Sequence, residues 1–268
     1  MSLVDGFSRK ITYLRISVTD RCNLRCQYCM PETGIELIPH RDILGFEEII
    51  SFVKVAVKLG IDKIRLTGGE PLVRKKIIDL VKMIAEIPGV KDFSMTTNGT
   101  LLPEFGEKLR KAGLHRLNIS LDTVDPEKFS TITRGGDIQS VFEGVRVAQE
   151  VGFKTIKINC VIKESSSEPD ARKVAQYAKN NNLKVRFIRQ MDLEVGQYWT
   201  IEDGTGGDCK ICNRLRLTSD GKIKPCLLND MVFDIRELGI EESIRQAVDY
   251  KPKRGEFSKK HRFYSIGG

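Results

Sequence analysis

Hydrophobic and polar positions alternate between two periods over the first two thirds of the chain. Short β-rich runs at residues 11–18, 63–67, 93–97, 114–121, 155–162 and 184–189 predict strands. Residues 46–59, 75–87, 103–112, 138–151 and 170–180 carry a helical period. In the first of these helices Ile49, Ile50, Phe52, Val53 and Val57 recur at three- and four-residue steps, the spacing of one buried helix face. Gly60, Gly113 and Gly152 punctuate the exits toward the next strand. Successive strands lie mostly about 30 residues apart, the length of one βα unit. Six such units predict an α/β fold with a parallel sheet and right-handed crossovers, an incomplete (β/α)6 TIM-like barrel.

After Met191 the pattern breaks. Residues 192–208 hold five acidic side chains, four glycines and no basic residue, which predicts a linker or exposed loop. Residues 209–235 alternate around a turn at Ser219, Asp220 and Gly221, and residues 241–249 read as one more helix. The expected division is therefore a barrel at 1–191, a short linker at 192–208 and a small C-terminal module at 209–268.

Composition narrows the class. The 268 residues are 40% apolar and 30% charged, with a net charge of +8. Residues 251–268 contribute +5 of that, from six Lys/Arg against one Glu. No run approaches the roughly 18 apolar residues of a membrane span. The opening MSLVDGFSRK lacks the apolar segment of a secretory signal. Seven cysteines, an odd number, exclude a fully paired disulfide framework. Free thiols without a secretion signal point to the cytoplasm and to metal or redox chemistry.

The cysteines fall into two triplets and a remainder. Cys22, Cys26 and Cys29 lie in a loop directly after the first strand, at the strand end where α/β barrels place active sites. Three soft thiolates within eight residues suit an iron–sulfur cluster or zinc, and a triplet without a fourth ligand leaves one coordination position open. Cys209, Cys212 and Cys226 fit a zinc ribbon missing one ligand, or a second open cluster; taken alone, their spacing favours zinc. Cys160, inside a strand, reads as a small packing residue. Gly68, Gly69, Glu70 and Pro71 end the second strand. The glycines expose backbone groups to a ligand, and Glu70 is placed to accept from a cationic amine.

The three-cysteine loop followed by Gly-Gly-Glu-Pro resembles the radical S-adenosylmethionine enzymes. Within them the chain is similar to the GTP 3′,8-cyclases of molybdenum-cofactor biosynthesis. The likeness runs through residues 13–23 (YLRISVTDRCN), 63–67 (KIRLT), 96–99 (TTNG), 118–122 (NISLD), 186–188 (RFI), 212–222 (CNRLRLTSDGK) and the terminal Gly267-Gly268. This resemblance implies a [4Fe–4S] cluster on Cys22, Cys26 and Cys29, which are the catalytic set, with S-adenosylmethionine on its open iron. It implies a second [4Fe–4S] cluster on Cys209, Cys212 and Cys226, facing the purine of GTP. Tyr28, Gly69, Thr96, Ser120, Lys157 and Met191 match the S-adenosylmethionine site, with Lys157 assigned to the carboxylate. Arg15, Lys63, Arg65, Arg186, Arg214 and Arg216 match the substrate site, where planar guanidinium groups suit phosphate. The resemblance further implies a flavodoxin- or ferredoxin-like one-electron donor and a downstream cyclic pyranopterin monophosphate synthase. It also suggests a Gly267-Gly268 tail that enters the active site.

Two alternatives stand beside this reading. One is a two-cluster radical enzyme of the same architecture acting on a peptide or another small molecule. The other is a zinc-dependent nucleic-acid-binding module, motivated by the basic charge. The chain departs from the cyclases in length, the deficit falling between Met191 and Cys209.

Overall fold

The six strand-period runs fold as β1 (Tyr13–Ser17), β2 (Lys63–Thr67), β3 (Asp92–Thr97), β4 (Arg116–Ser120), β5 (Ile156–Ile162) and β6 (Lys184–Arg189). The computed structural model describes residues 2–201 and 206–259. In it these strands pair in parallel, each beside the next in sequence. The helices between them are α1 (Phe46–Lys58), α2 (Ile77–Ala85), α3 (Leu102–Lys111), α4 (Pro126–Thr133), α5 (Ile138–Glu150) and α6 (Pro169–Asn180). Gly60, Gly113 and Gly152 take positive φ at three helix exits, as the sequence suggested. Periodicity misses α4, whose signal is local: Asp125 accepts from the Glu127 and Lys128 amides, and Pro126 opens the first turn.

The expected C-terminal module is continuous with the barrel. β7 (Arg214–Leu217) pairs in parallel with the free side of β1, and β8 (Lys222–Lys224) and β9 (Phe233–Asp234) extend the sheet in antiparallel fashion. One nine-stranded sheet results, in the order β6-β5-β4-β3-β2-β1-β7-β8-β9. α7 (Ile235–Leu238) and α8 (Ile240–Asp249) follow, with Ile244, Ala247 and Val248 in the same apolar core as the barrel residues.

The two faces of the sheet differ in chemistry. Leu14, Ile16, Ile64, Leu66, Phe93, Met95, Leu117, Ile119, Leu215 and Leu217 are fully buried on the helix-covered face. Burying side chains of this size contributes about 1.5–3 kcal/mol each. The alternate positions face inward, and in-register neighbours share that face. One row runs Arg216–Arg15–Arg65–Ser94–Arg116 across β7, β1, β2, β3 and β4. The row below it is Arg214–Tyr13–Lys63–Asp92. Parallel strands covered on both faces normally read as continuous apolar runs. Alternation here marks an inner face reserved for polar groups.

Candidate active site

The inner face encloses a cavity of about 440 Å³. All six cysteines of the two triplets line it, together with Tyr28, Gly69, Thr96, Ser120, Met191, Arg15, Lys63, Arg65, Arg186, Arg214 and Arg216. Lys157 does not line it. Burial, then Arg186, Arg116, Lys184 and Lys63, depress the Lys157 ammonium to about 8, which groups it with the cationic lattice. Gly267 and Gly268 lie outside the described residues.

The first triplet sits at the C-terminal end of β1, and its loop is fastened from three sides. Gly68 and Gly69 press onto the loop entry: the Gly69 amide donates to the Thr19 carbonyl at 2.7 Å, and the Glu70 amide to Arg21 at 2.8 Å. A Cβ on Gly69 would fall 2.2 Å from the Arg21 carbonyl oxygen, so only glycine allows this approach. Asn98, at the end of β3, donates to Asn23 at 2.8 Å and lies 3.9 Å from the Cys22 sulfur. On the far side, the Arg25 and Gln27 amides donate to carbonyls at the end of α4, and Arg134 donates to the Arg25 and Met30 carbonyls. Tyr28, between Cys26 and Cys29, donates to Asp122 at 2.7 Å, which also accepts from the Val161 amide of β5.

Glu70 departs from expectation. It is fully buried, does not reach the cavity, and accepts from the Leu72 amide, the Thr97 hydroxyl and the Asn98 amide. It therefore positions the end of β3. Burial raises its carboxyl to about 7 against those three donors.

The thiols of the first triplet are free and partly buried. Burial, with Cys29, Asp122 and Cys22 nearby, pushes Cys26 up to about 12. Burial, with Cys22 and Asp122, does the same to Cys29. Desolvated thiols with other anionic groups near them resist ionising on their own, and a bound cationic metal reverses that preference. Among the described residues no three His, Cys, Asp or Glu side chains are grouped closely enough to hold one ion; each triplet is united by a shared stretch of cavity wall. The Thr96 hydroxyl lines the same cavity, buried and without a hydrogen-bond partner. An orphaned polar group of this kind fits a bound ligand. The donor set thus suits an open-site iron–sulfur cluster with a polar ligand beside it.

The second triplet lies at the opposite end of β1. Cys212 precedes β7, whose first residue pairs with Tyr13, and Cys226 follows β8 as that strand runs back along β7. Arg9, ion-paired to Asp5 at 2.6 Å in a buried site, holds the Cys209 carbonyl at 2.6 Å. Burial opposes ionisation of Cys212, yet Lys251, Arg214 and Arg216 outweigh it and hold that thiol below its ordinary value. The Cys209 sulfur contacts the Tyr198 hydroxyl at 3.4 Å. Residues 192–208, expected as a linker or exposed loop, do expose Asp192, Glu194, Val195, Gln197 and Thr200, and they also supply wall: Tyr198, Trp199, Ile201, Gly206, Gly207 and Asp208 face the cavity.

Between the two triplets the wall is cationic. Arg15, Lys63, Arg65, Arg186, Arg189, Arg214 and Arg216 line it against one carboxylate, Asp208, among the described residues. Burial and the neighbouring Arg216 drive the Arg15 guanidinium well below its usual range. Lys63 is partly neutralised by Asp92 at 3.1 Å, which also takes a bidentate pair from Arg116. The sequence reading missed Tyr13. It lies two residues before Arg15 on the same face, its ring contacts Lys63, Arg65 and Arg214, and its hydroxyl is buried without a partner. Strand alternation was the available signal. The net charge is thus concentrated inside the sheet as well as toward the terminus, and Lys251 of the supposed tail is itself buried.

Residues 16–178 match the Radical SAM superfamily. A GTP 3′,8-cyclase of Peptoclostridium acidaminophilum is 39% identical, covering 99% of this chain and 98% of its own. One from Thermodesulfovibrio yellowstonii is also 39% identical, covering 93% and 94%. The first alignment runs over 320 positions against 268 residues here, so these relatives carry segments this chain lacks. Among solved structures, Streptococcus suis SuiB bound to S-adenosylmethionine superposes with a TM-score of 0.67 at 16% identity, covering 93% of this chain and 66% of that one. anSMEcpe with bound AdoMet superposes at 0.64 and 19%, covering 92% and 83%. These two establish the fold alone.

Proposed function

The chain belongs to the radical S-adenosylmethionine superfamily and, within it, to the GTP 3′,8-cyclases, and we propose that it converts GTP to (8S)-3′,8-cyclo-7,8-dihydroguanosine 5′-triphosphate, the first step of molybdopterin biosynthesis. The observation that carries this reading is the cationic inner face lying between two separate thiol triplets.

Cys22, Cys26 and Cys29 would hold a [4Fe–4S] cluster with S-adenosylmethionine beside it, and Cys209, Cys212 and Cys226 a second. Bound there, these groups supply reductive cleavage of S-adenosylmethionine and the radical that takes hydrogen from the ribose C3′ before closure onto purine C8. The protein's own residues bind, orient and exclude. Gly69, Thr96, Ser120, Tyr28 and Met191 offer backbone, hydroxyl and apolar surface around the first triplet. Arg15, Lys63, Arg65, Arg186, Arg214 and Arg216 receive the triphosphate, which carries about four negative charges and matches planar guanidinium groups. Lys157, off the cavity and among those cations, adds to the phosphate field in place of a role at the S-adenosylmethionine carboxylate. Trp199 and Tyr198 roof the cavity on the short connector, with Arg189 stacked on Trp199 at 4.0 Å. A preorganised wall of this kind holds its charges aimed at the ligand before it binds.

No helix among the described residues is long and apolar enough to cross a membrane. The reading places the enzyme in the cytoplasm, with an external flavodoxin- or ferredoxin-like donor. Its product passes to a cyclic pyranopterin monophosphate synthase. The test is anaerobic incubation with reductant, S-adenosylmethionine and GTP: 5′-deoxyadenosine should accumulate as GTP is consumed. If 5′-deoxyadenosine forms while GTP is untouched, a peptide or other small-molecule substrate replaces it.

A further inference from the structure

Lys251 opens the segment that composition marked as a basic tail, yet it is 3% exposed. Its ammonium donates to the Arg214 carbonyl at 2.8 Å and to the Pro225 carbonyl at 2.5 Å. Those carbonyls belong to the two arms that carry Cys212 and Cys226, the first two residues beyond Cys212 and the second directly before Cys226. One side chain therefore ties together the start of β7 and the end of β8. An ammonium has three protons, and two go to these carbonyls. The remaining side-chain contact is to Cys212, with Cys226 also within electrostatic range. Among the described residues no carboxylate pairs with Lys251, while Arg9 repels it. Burial lowers this ammonium from its ordinary value, so its charge depends on a balancing partner. The groups on hand to balance it are the sulfurs of the second triplet and whatever they bind.

We propose that Lys251 is a positioning residue for the second cysteine triplet, a fixed positive charge that fastens two of its arms and raises the reduction potential of the iron–sulfur cluster held there. The inference rests on the reading that Cys209, Cys212 and Cys226 hold that cluster. Reduction by one electron adds negative charge beside the ammonium, and an opposite charge favours the more highly charged state. Removing the positive charge therefore lowers the midpoint.

The test uses the full chain, reconstituted anaerobically, as wild type, K251M and K251R. Iron per chain is counted, and each cluster is followed by electron paramagnetic resonance during a dye-mediated titration with dithionite. Wild type should carry about eight irons, two four-iron clusters. K251R, which keeps the charge, should keep both clusters and hold the second midpoint near the wild-type value. K251M should shift the reduction equilibrium of the second cluster at least tenfold toward the oxidised form, about 59 mV for one electron, and leave the first unmoved. A K251M protein that holds only the first cluster, with the second restored in K251R, supports the same role. Eight irons in K251M with an unshifted second midpoint overturn it, as do K251M and K251R failing alike. A wild-type count of about four irons instead removes the second-cluster reading, which is a separate result.

Discussion

At the residue scale, the site depends on polar groups whose partners lie on other strands. Glu70 ties the ends of β2 and β3 together, and its carboxyl is held near 7 by burial, above the ordinary 4.5. The folded protein therefore binds this proton more tightly than the unfolded chain. The stabilising contribution is complete below about 4.5 and is lost as pH rises toward 7. Measured anaerobically by denaturant unfolding, the stability difference between wild type and E70Q should shift against wild type by on the order of 2 kcal/mol from pH 5 to 8. A constant difference would show that the carboxylate is ionised throughout. Tyr13 makes a second case. Its buried hydroxyl faces the cavity among cations, so Y13F should raise the KM for GTP by roughly tenfold, one lost hydrogen bond to a charged group, with kcat little changed. An unchanged KM would assign Tyr13 to packing alone.

At the element scale, strand ends and distant segments hold the two cysteine loops. The strands and most helices were legible because each strand alternates and each helix has one apolar face. The strand cations followed from the same alternation, Arg15 and Arg65 sharing a face with Tyr13 and Lys63. What periodicity could not show is contact between segments far apart in sequence. α4 packs against the first cysteine loop although nothing near Cys22 announces it, and Arg9 reaches the Cys209 carbonyl across two hundred residues. Gly69→Ala drives a Cβ into the Arg21 backbone. Overpacking of this sort costs about 1–3 kcal/mol, and the variant should lose iron from the first cluster while the second stays loaded. Arg9→Met strands the buried Asp5 carboxylate, at a cost of about 3–5 kcal/mol, and releases Cys209. It should keep about four irons and still yield 5′-deoxyadenosine, with GTP consumption lost. Equal loss of both clusters would mean that Arg9 supports the whole fold and not the second triplet.

At the scale of the whole molecule, β1 is a five-residue strand, about 16 Å long, with one triplet beyond each end. The first follows Ser17, and the second enters through β7, locked to β1 from Tyr13↔Arg214 to Ile16↔Leu217. Separation of the two centres is therefore a count of paired residues and owes nothing to the connector that links them in sequence. A change in the length of the connector between Met191 and Cys209 leaves the β1–β2 and β1–β7 pairings, and so both centres, untouched. One residue inserted between Cys212 and Arg214 is a different matter: a one-step slip turns Arg214 and Arg216 toward the helices and carries Leu215 inward. Such an insertion should abolish GTP binding, whereas one or two glycines added after Gly196 should leave it measurable by equilibrium dialysis. A lineage of such proteins is thus free to vary the length of its covering loop and is held to single-residue accuracy at the strand beside β1.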